Sequence, residues 1–268
     1  MQQATDFAEE SAALHALIES LSEAELATPT LFKAWTIEDV IGHLHVWNLA
    51  AGEALKSREA FADFAKELGA AAQKGGALRQ TERSFLGGLR GASLVDAWAA
   101  HYPRLAAEFE KADPSSRLAW VGPDMSARSS ITARLMETWA HAQAVYDALG
   151  SVRKDTDRIR NIVILGVNTF GWTFRNRGLD VPAPVPHLVL TAPSGEIWRY
   201  GEESAHERIE GEAAEFCQVV TQTRNIADTR LRVTGETAQR WMAMAQCFAG
   251  RPETPPPPGA RHRAKARA

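Results

Sequence analysis

The strongest constraint in this sequence is the stretch from residue 128 to 149, which repeats apolar residues at helical spacing and stops at Gly150. At about 100° per residue, Ile131, Leu135, Thr138, Ala142, Val145, Tyr146 and Leu149 gather within about 60° of one direction, as on a helix with a buried stripe. Gly150 suits the C-cap, where the chain leaves the last turn through left-handed φ. On this reading Thr132, Gln143 and Asp147 face water. Between the two faces lies a shoulder with Arg134, Glu137 and His141 set among Ala133, Ala144 and Ala148, small residues that let a neighbouring helix approach. Glu137 and His141 are one turn apart, so carboxylate and imidazole project side by side. Titratable groups in such a half-buried position need a partner or a metal.

Other segments read as helices that could pack against this one. Phe7, Ser11, Leu14, Leu17, Ile18 and Leu21 make an amphipathic helix over 3–22, broken by Thr28-Pro29-Thr30. Thr36, with Asp39 three residues on, forms a capping box that starts a second helix running to about Ser57. Helical fragments are predicted over 58–73 and 78–90, with Lys74-Gly75-Gly76 between them. Ser93 and Asp96 suggest a further box, opening a helix through Trp98, Tyr102, Leu105 and Phe109 to about Ala112. Four long helices within 150 residues fit a bundle.

After Gly150 the texture changes. A helix over 155–176 gives way to Pro182, Pro184 and Pro186, then to strand-like runs at Leu188–Thr191 and Ile197–Tyr200 joined by Pro193-Ser194-Gly195. A short strand at 208–210, a helix over 212–223, a strand at 231–233 and a helix over 236–249 complete a smaller α+β domain over 151–250. Residues 251–268, rich in Pro, Arg and Ala, read as a disordered tail.

Composition narrows the functional classes. Set aside the five Arg and Lys and one Glu beyond residue 250, and the net charge of −3 becomes −7 over the body, which argues against nucleic acid as a partner. The sequence has no apolar run of membrane-spanning length, and the acidic N-terminus lacks the basic start and apolar core of a secretory signal, so a cytoplasmic protein is expected. Two distant cysteines, Cys217 and Cys247, imply neither a disulfide framework nor a zinc motif and read as core. Trp35, Trp47, Trp98 and Trp139 are likewise expected in the bundle core. A monomer or homodimer is expected.

A metal at Glu137 and His141 needs a further donor. On the second helix Val40, Leu44, Trp47, Ala50, Ala51 and Ala54 define the inward stripe; His43 lies inside that arc, whereas His45 falls opposite and is read as facing out. Two imidazoles and one carboxylate with an open fourth position form the ligand set of catalytic zinc, other divalent metals being admissible. Spacing alone leaves a second reading open, in which His43 is a core histidine and Arg134, Glu137 and His141 form an ion-pair ladder.

The strings Trp35-Thr36-Ile37-Glu38-Asp39-Val40-Ile41-Gly42-His43-Leu44, Arg134-Leu135-Met136-Glu137-Thr138-Trp139-Ala140-His141-Ala142 and Asp147-Ala148-Leu149-Gly150 resemble the mycothiol-dependent maleylpyruvate isomerase family. The resemblance covers about residues 5–150. It implies a DinB-like metal-binding four-helix bundle, with His43, Glu137 and His141 at the metal-ligand positions, followed by the smaller α+β domain. The second half is similar more loosely, through Phe216-Cys217-Gln218-Val219-Val220-Thr221-Gln222-Thr223-Arg224-Asn225. There Arg224 is a candidate to clamp a substrate carboxylate, against the alternative of an exposed residue beyond a helix end.

Ligand set and resemblance together lead to the expectation of an enzyme in which zinc binds a low-molecular-weight thiol as thiolate. The thiol would isomerise or S-conjugate a small unsaturated or electrophilic substrate, with Arg134 orienting Glu137 or holding substrate. Two other readings stay open: metal-hydroxide hydrolysis or hydration without a thiol, and a non-catalytic small-ligand-binding protein with a structural metal.

Overall fold

Side-chain caps and long-range carboxylates set where several helices of this protein begin. The computed structural model describes residues 1–73 and 77–261. The chain divides into two compact units, Met1–Leu149 and Gly150–Ala268. In the first, α1 spans Gln2–Ile18, α2 Glu23–Leu26, α3 Ile37–Lys56, α4 Arg58–Ala72, α5 Leu78–Leu86 and α6 Gly91–Lys111; β1 (Arg117–Leu118) and β2 (Met125–Ser126) form a small hairpin before α7, Ala127–Ala148. The box at the start of α3 is as expected: Asp39 N–H donates to Thr36 Oγ1 at 3.1 Å and Thr36 N–H to Asp39 Oδ2 at 3.0 Å.

The box expected at Ser93 and Asp96 does not form: α6 starts at Gly91, and Ser93 Oγ instead accepts from Arg90 N–H at 3.2 Å and donates to Arg90 O at 2.7 Å. The reason is tertiary. Glu38 accepts from Gly91 N–H at 3.0 Å and Glu23 from Ala92 N–H at 3.1 Å, so carboxylates of two other helices satisfy the first exposed amides and complement the helix dipole.

Helices α1, α3, α6 and α7 pack together, and α4 and α5 cover a further side of α3. Phe7 and Leu14 from α1, Val40 and Leu44 from α3, Trp98 and Phe109 from α6, and Ile131, Leu135 and Val145 from α7 are all fully buried. Each such side chain contributes about 1.5–3 kcal/mol by leaving water. Because α3 and α7 have neighbours on more than one side, residues opposite their apolar stripes are buried too. Gln143 and Asp147, expected to face water, are buried, with Gln143 Nε2 donating to Asp147 Oδ1 at 3.0 Å. His45, expected to face out, is 5% exposed and meets His101 of α6 edge-on at 5.6 Å between ring centroids. Burial, with the His101 ring beside it, lowers the His45 pKa to about 4.

In the second unit a single turn at Asp157–Ile159 precedes α8 (Arg160–Asn168) and α9 (Phe170–Arg175). The expected continuous helix is broken at Thr169, whose hydroxyl donates back to Leu165 O at 2.7 Å. Strands β3 (His187–Thr191), β4 (Ile197–Tyr200), β5 (Arg208–Glu212) and β6 (Arg232–Thr234) form one sheet in the order β4-β3-β5-β6, with only the β3–β5 pair parallel. The two remaining helices are α10 (Ala213–Val220) and α11 (Glu236–Met244). Phe170, Phe174, Phe216 and Trp241 make the aromatic core of this unit, and Cys217 and Cys247 are buried as expected.

The tail departs from expectation up to residue 261. Glu253 O accepts from Arg177 Nη2 at 2.6 Å and Gln222 Nε2 at 3.1 Å, Pro256 O accepts from Asn225 Nδ2 at 2.8 Å, and Pro256 is buried. A proline run has little backbone freedom to lose, and its unpaired carbonyls accept from side chains already in place. Residues 262–268 lie outside the described residues. No described helix is long and apolar enough to cross a membrane.

Candidate metal centre

The face of α3 that carries His43 packs against α7, and this brings one histidine opposite the carboxylate–imidazole pair. His43 Nε2 lies 3.3 Å from Glu137 Oε2, and one ligand atom each from His43, Glu137 and His141 fall within 4.8 Å of one another. A divalent metal bound at about 2.0–2.2 Å by two nitrogens and an oxygen would space a tetrahedral ligand set by roughly 3.3 Å, so only small side-chain adjustments separate the observed trio from a metal site. His43 is buried, while Glu137 and His141 are partly exposed, so the centre is closed at one side and open at the other.

Electrostatics bind the trio to its surroundings. Burial alone would lower the His43 pKa and raise that of Glu137; both are reversed. Glu82 and Glu137 push His43 up to about 9, and Arg134, with the two histidines, holds the Glu137 carboxyl far below the usual carboxylate range. Arg134 donates from Nη2 to Glu137 at 2.7 Å and lies over Trp120, 5.5 Å from the ring centroid. It is almost fully buried, and its Nε and Nη1 have no hydrogen-bond partner among the described residues.

An aromatic wall closes one side of the centre. The loop before α3 delivers Trp35, which stacks parallel to His141 at 5.9 Å and meets His43 edge-on at 5.3 Å; Phe32 meets His141 at 5.0 Å. Lys33 and Ala34 take left-handed φ of 50° and 55° to make this turn, a conformation costing on the order of 1 kcal/mol or more each. The bonds Thr30 N–H to Trp35 O and Ile37 N–H to Thr28 O hold the loop shut against that strain. Trp98 and Trp139 are fully buried and Trp35 is buried in the bundle core, as expected, while Trp47 is partly buried against that core; Trp35 and Trp47 also flank the centre through ring contacts with His43 and the Trp47–Glu82 bond.

Sequence reasoning missed Glu82. This α5 residue is 2% exposed, and its Oε1 accepts from His43 Nδ1 at 2.7 Å and from Trp47 Nε1 at 2.8 Å. The signal was present: Glu82 stands four residues before Leu86 and next to the buried Thr81, an acidic residue within the inward face of a short amphipathic helix. Arg224 lies in the second unit, beyond the end of α10, where its Nη1 donates to the Thr223 carbonyl at 2.9 Å.

Residues 7–146 match the family described as the mycothiol maleylpyruvate isomerase N-terminal domain, which is more than half of the chain. The chain belongs to the mycothiol-dependent maleylpyruvate isomerase family. Two proteins of Mycobacterium tuberculosis, from strains CDC 1551 and H37Rv and both named as uncharacterized, are 41% identical to it over 248 residues. The match spans 92% of this chain and 95% of each relative. The crystal structure of a mycothiol-dependent maleylpyruvate isomerase is similar with a TM-score of 0.52 at 17% identity, over 81% of this chain and 87% of that one. A histidine-to-alanine variant of such an isomerase gives 0.51 with the same coverage. At that identity the likeness is one of fold, a helical domain followed by an α+β domain.

Proposed function

We propose that this protein is a cytoplasmic, metal- and thiol-dependent enzyme that isomerises or S-conjugates a small unsaturated or electrophilic substrate bearing a carboxylate. The observation that carries the reading is the convergence of His43, Glu137 and His141 on the partly open side of the bundle. Family membership supports a low-molecular-weight thiol of the mycothiol class as cosubstrate. The donor set fits zinc, and a divalent cation held there supplies the acidity that keeps a thiol as thiolate near neutral pH.

The chain's own residues prepare the reaction. Arg134 fixes the Glu137 carboxylate so that one oxygen faces the two imidazoles, and Trp35 and Phe32 keep water from one side of the reacting sulfur. In an isomerisation, the thiolate sulfur adds to one carbon of a conjugated double bond and the electron pair moves onto the adjoining carbonyl as an enolate. Rotation about the new single bond comes next, and collapse of the enolate expels the thiolate unchanged. In a conjugation the enolate is protonated instead and the carbon–sulfur bond remains. Arg224 is proposed as the guanidinium that holds the substrate carboxylate.

The test is spectroscopic. Cobalt-substituted protein should develop a thiolate-to-metal charge-transfer band that saturates on adding mycothiol and is absent in His141→Ala. Arg224→Ala should keep the band while raising KM for an anionic substrate. Turnover by hydrolysis with no band from any thiol would replace this reading with thiol-independent chemistry.

A further inference from the structure

We propose that Glu82 is the positioning residue that makes Nε2, and not Nδ1, of His43 the metal-binding nitrogen. The inference deepens the metal reading above and rests on it. An imidazole ligand offers one lone pair, and which nitrogen offers it is set by what the other nitrogen bonds. Here the Nδ1 contact is a carboxylate oxygen at 2.7 Å, which can only accept. Nδ1 must therefore carry hydrogen, and in the neutral ring Nε2 carries the lone pair, on the side of Glu137 and His141.

The same oxygen accepts from Trp47 Nε1, four residues further along α3. Two donors one turn apart on one helix grip a single carboxylate oxygen, and this fixes the carboxylate against α3 and the His43 ring in its plane. A neutral acceptor would supply the geometry at lower desolvation cost. A buried carboxylate does more: it makes the imidazole a stronger donor to a metal and places a further negative charge behind it. Among the described residues no Arg or Lys pairs with Glu82. The arginines of the adjoining helix turn, Arg79 and Arg83, pair with Asp39 instead, at 3.5 Å and 2.6 Å. The cavity of about 10 Å³ between this cluster and His43 is the size of one water, too small for a ligand that the carboxylate could serve in its own right.

The experiment compares full-length wild type, Glu82→Gln and Trp47→Phe by chelator competition for Zn²⁺ and by the visible spectrum of bound Co²⁺. Histidine ¹⁵N spectra of zinc-loaded wild type are recorded alongside. Glu82→Gln should weaken zinc binding by about 10- to 100-fold and alter the Co²⁺ bands, and Trp47→Phe should weaken it less than Glu82→Gln, since it removes one of the two donors that hold the carboxylate but keeps the carboxylate itself. In wild type, His43 should show hydrogen on Nδ1 and a metal-shifted Nε2. Equal zinc affinity in Glu82→Gln and wild type overturns the inference while leaving the metal site standing. Absence of zinc and cobalt binding in wild type overturns the metal reading itself. Should Glu82→Gln fail to fold, the wild-type ¹⁵N spectrum decides, and a metal-shifted Nδ1 refutes the role assigned to Glu82.

Discussion

Raising the pH from 6 to 9.5 should tighten metal binding and, in the metal-free protein, reduce stability, because both depend on one proton. His43 donates to Glu82 through Nδ1 and to Glu137 through Nε2, and these partners raise its pKa from 6.5 to about 9. A metal can use Nε2 only after that proton leaves. Apparent affinity should therefore fall about tenfold per pH unit below 9, so that binding at pH 7 is roughly 100-fold weaker than its alkaline limit. About one proton should be released per metal bound at pH 7. Chelator competition across the pH series measures the first quantity, and calorimetry in buffers of different ionisation enthalpy the second.

The sign for stability is the opposite. A histidine whose folded pKa is raised stabilises the fold fully below its unfolded value of about 6.5 and loses that contribution as pH rises through about 9. The loss is roughly 3 kcal/mol in urea unfolding of the metal-free protein between pH 6.5 and 9.5. An affinity that is flat from pH 7 to 9, or a metal-free protein equally stable at both ends, refutes the His43 proton as the metal's competitor.

His43→Ala, Glu137→Ala and His141→Ala should each abolish most metal binding in elemental analysis, whereas His45→Ala should retain it, because His45 faces α6 and not α7. Leu135→Ala should cost about 2–5 kcal/mol in denaturant unfolding, since a fully buried side chain leaves a cavity in the bundle. Truncation after residue 250 should lower Tm by several degrees, since the bonds from Arg177, Gln222 and Asn225 to the segment at 253–256 contribute about 0.5–1.5 kcal/mol each. An unchanged Tm would mean that this segment does not hold to the second unit in solution.

The convergence of His43, Glu137 and His141 is legible in the sequence because its geometry is local. Glu137 and His141 are fixed by one helical turn, and His43 by its place within a single apolar arc. What lay beyond local geometry was misread. A helical projection ranks directions around one axis but knows nothing of how many neighbours surround it, so His45, Gln143 and Asp147 were given to water although further helices cover those faces. The start of α6 depended on Glu23 and Glu38, each more than 50 residues away. Glu82 shares the inward face of α5 with Leu86, but its service to His43 emerges only once its two donors on α3 are in place.

Those long-range partners also bear on what the centre is built to receive. Without a metal, protonated His43 and Arg134 face Glu82 and Glu137, so these four groups carry no net charge inside the bundle. A balanced set is what burial permits, since an unpaired charge there would cost several kcal/mol. Exchange of the one His43 proton for a divalent cation leaves the set with a single excess positive charge. The open side at Glu137 and His141 then favours one monoanion over any neutral donor, and a thiolate restores the balance. Removing Glu82 as an anion would raise the excess to two, which weakens the metal and strengthens the demand for an anion. In Glu82→Gln, therefore, added thiol should recover more of the lost metal affinity than it adds to wild type. Equal gains in both proteins would mean that the charge of Glu82 is not felt at the metal.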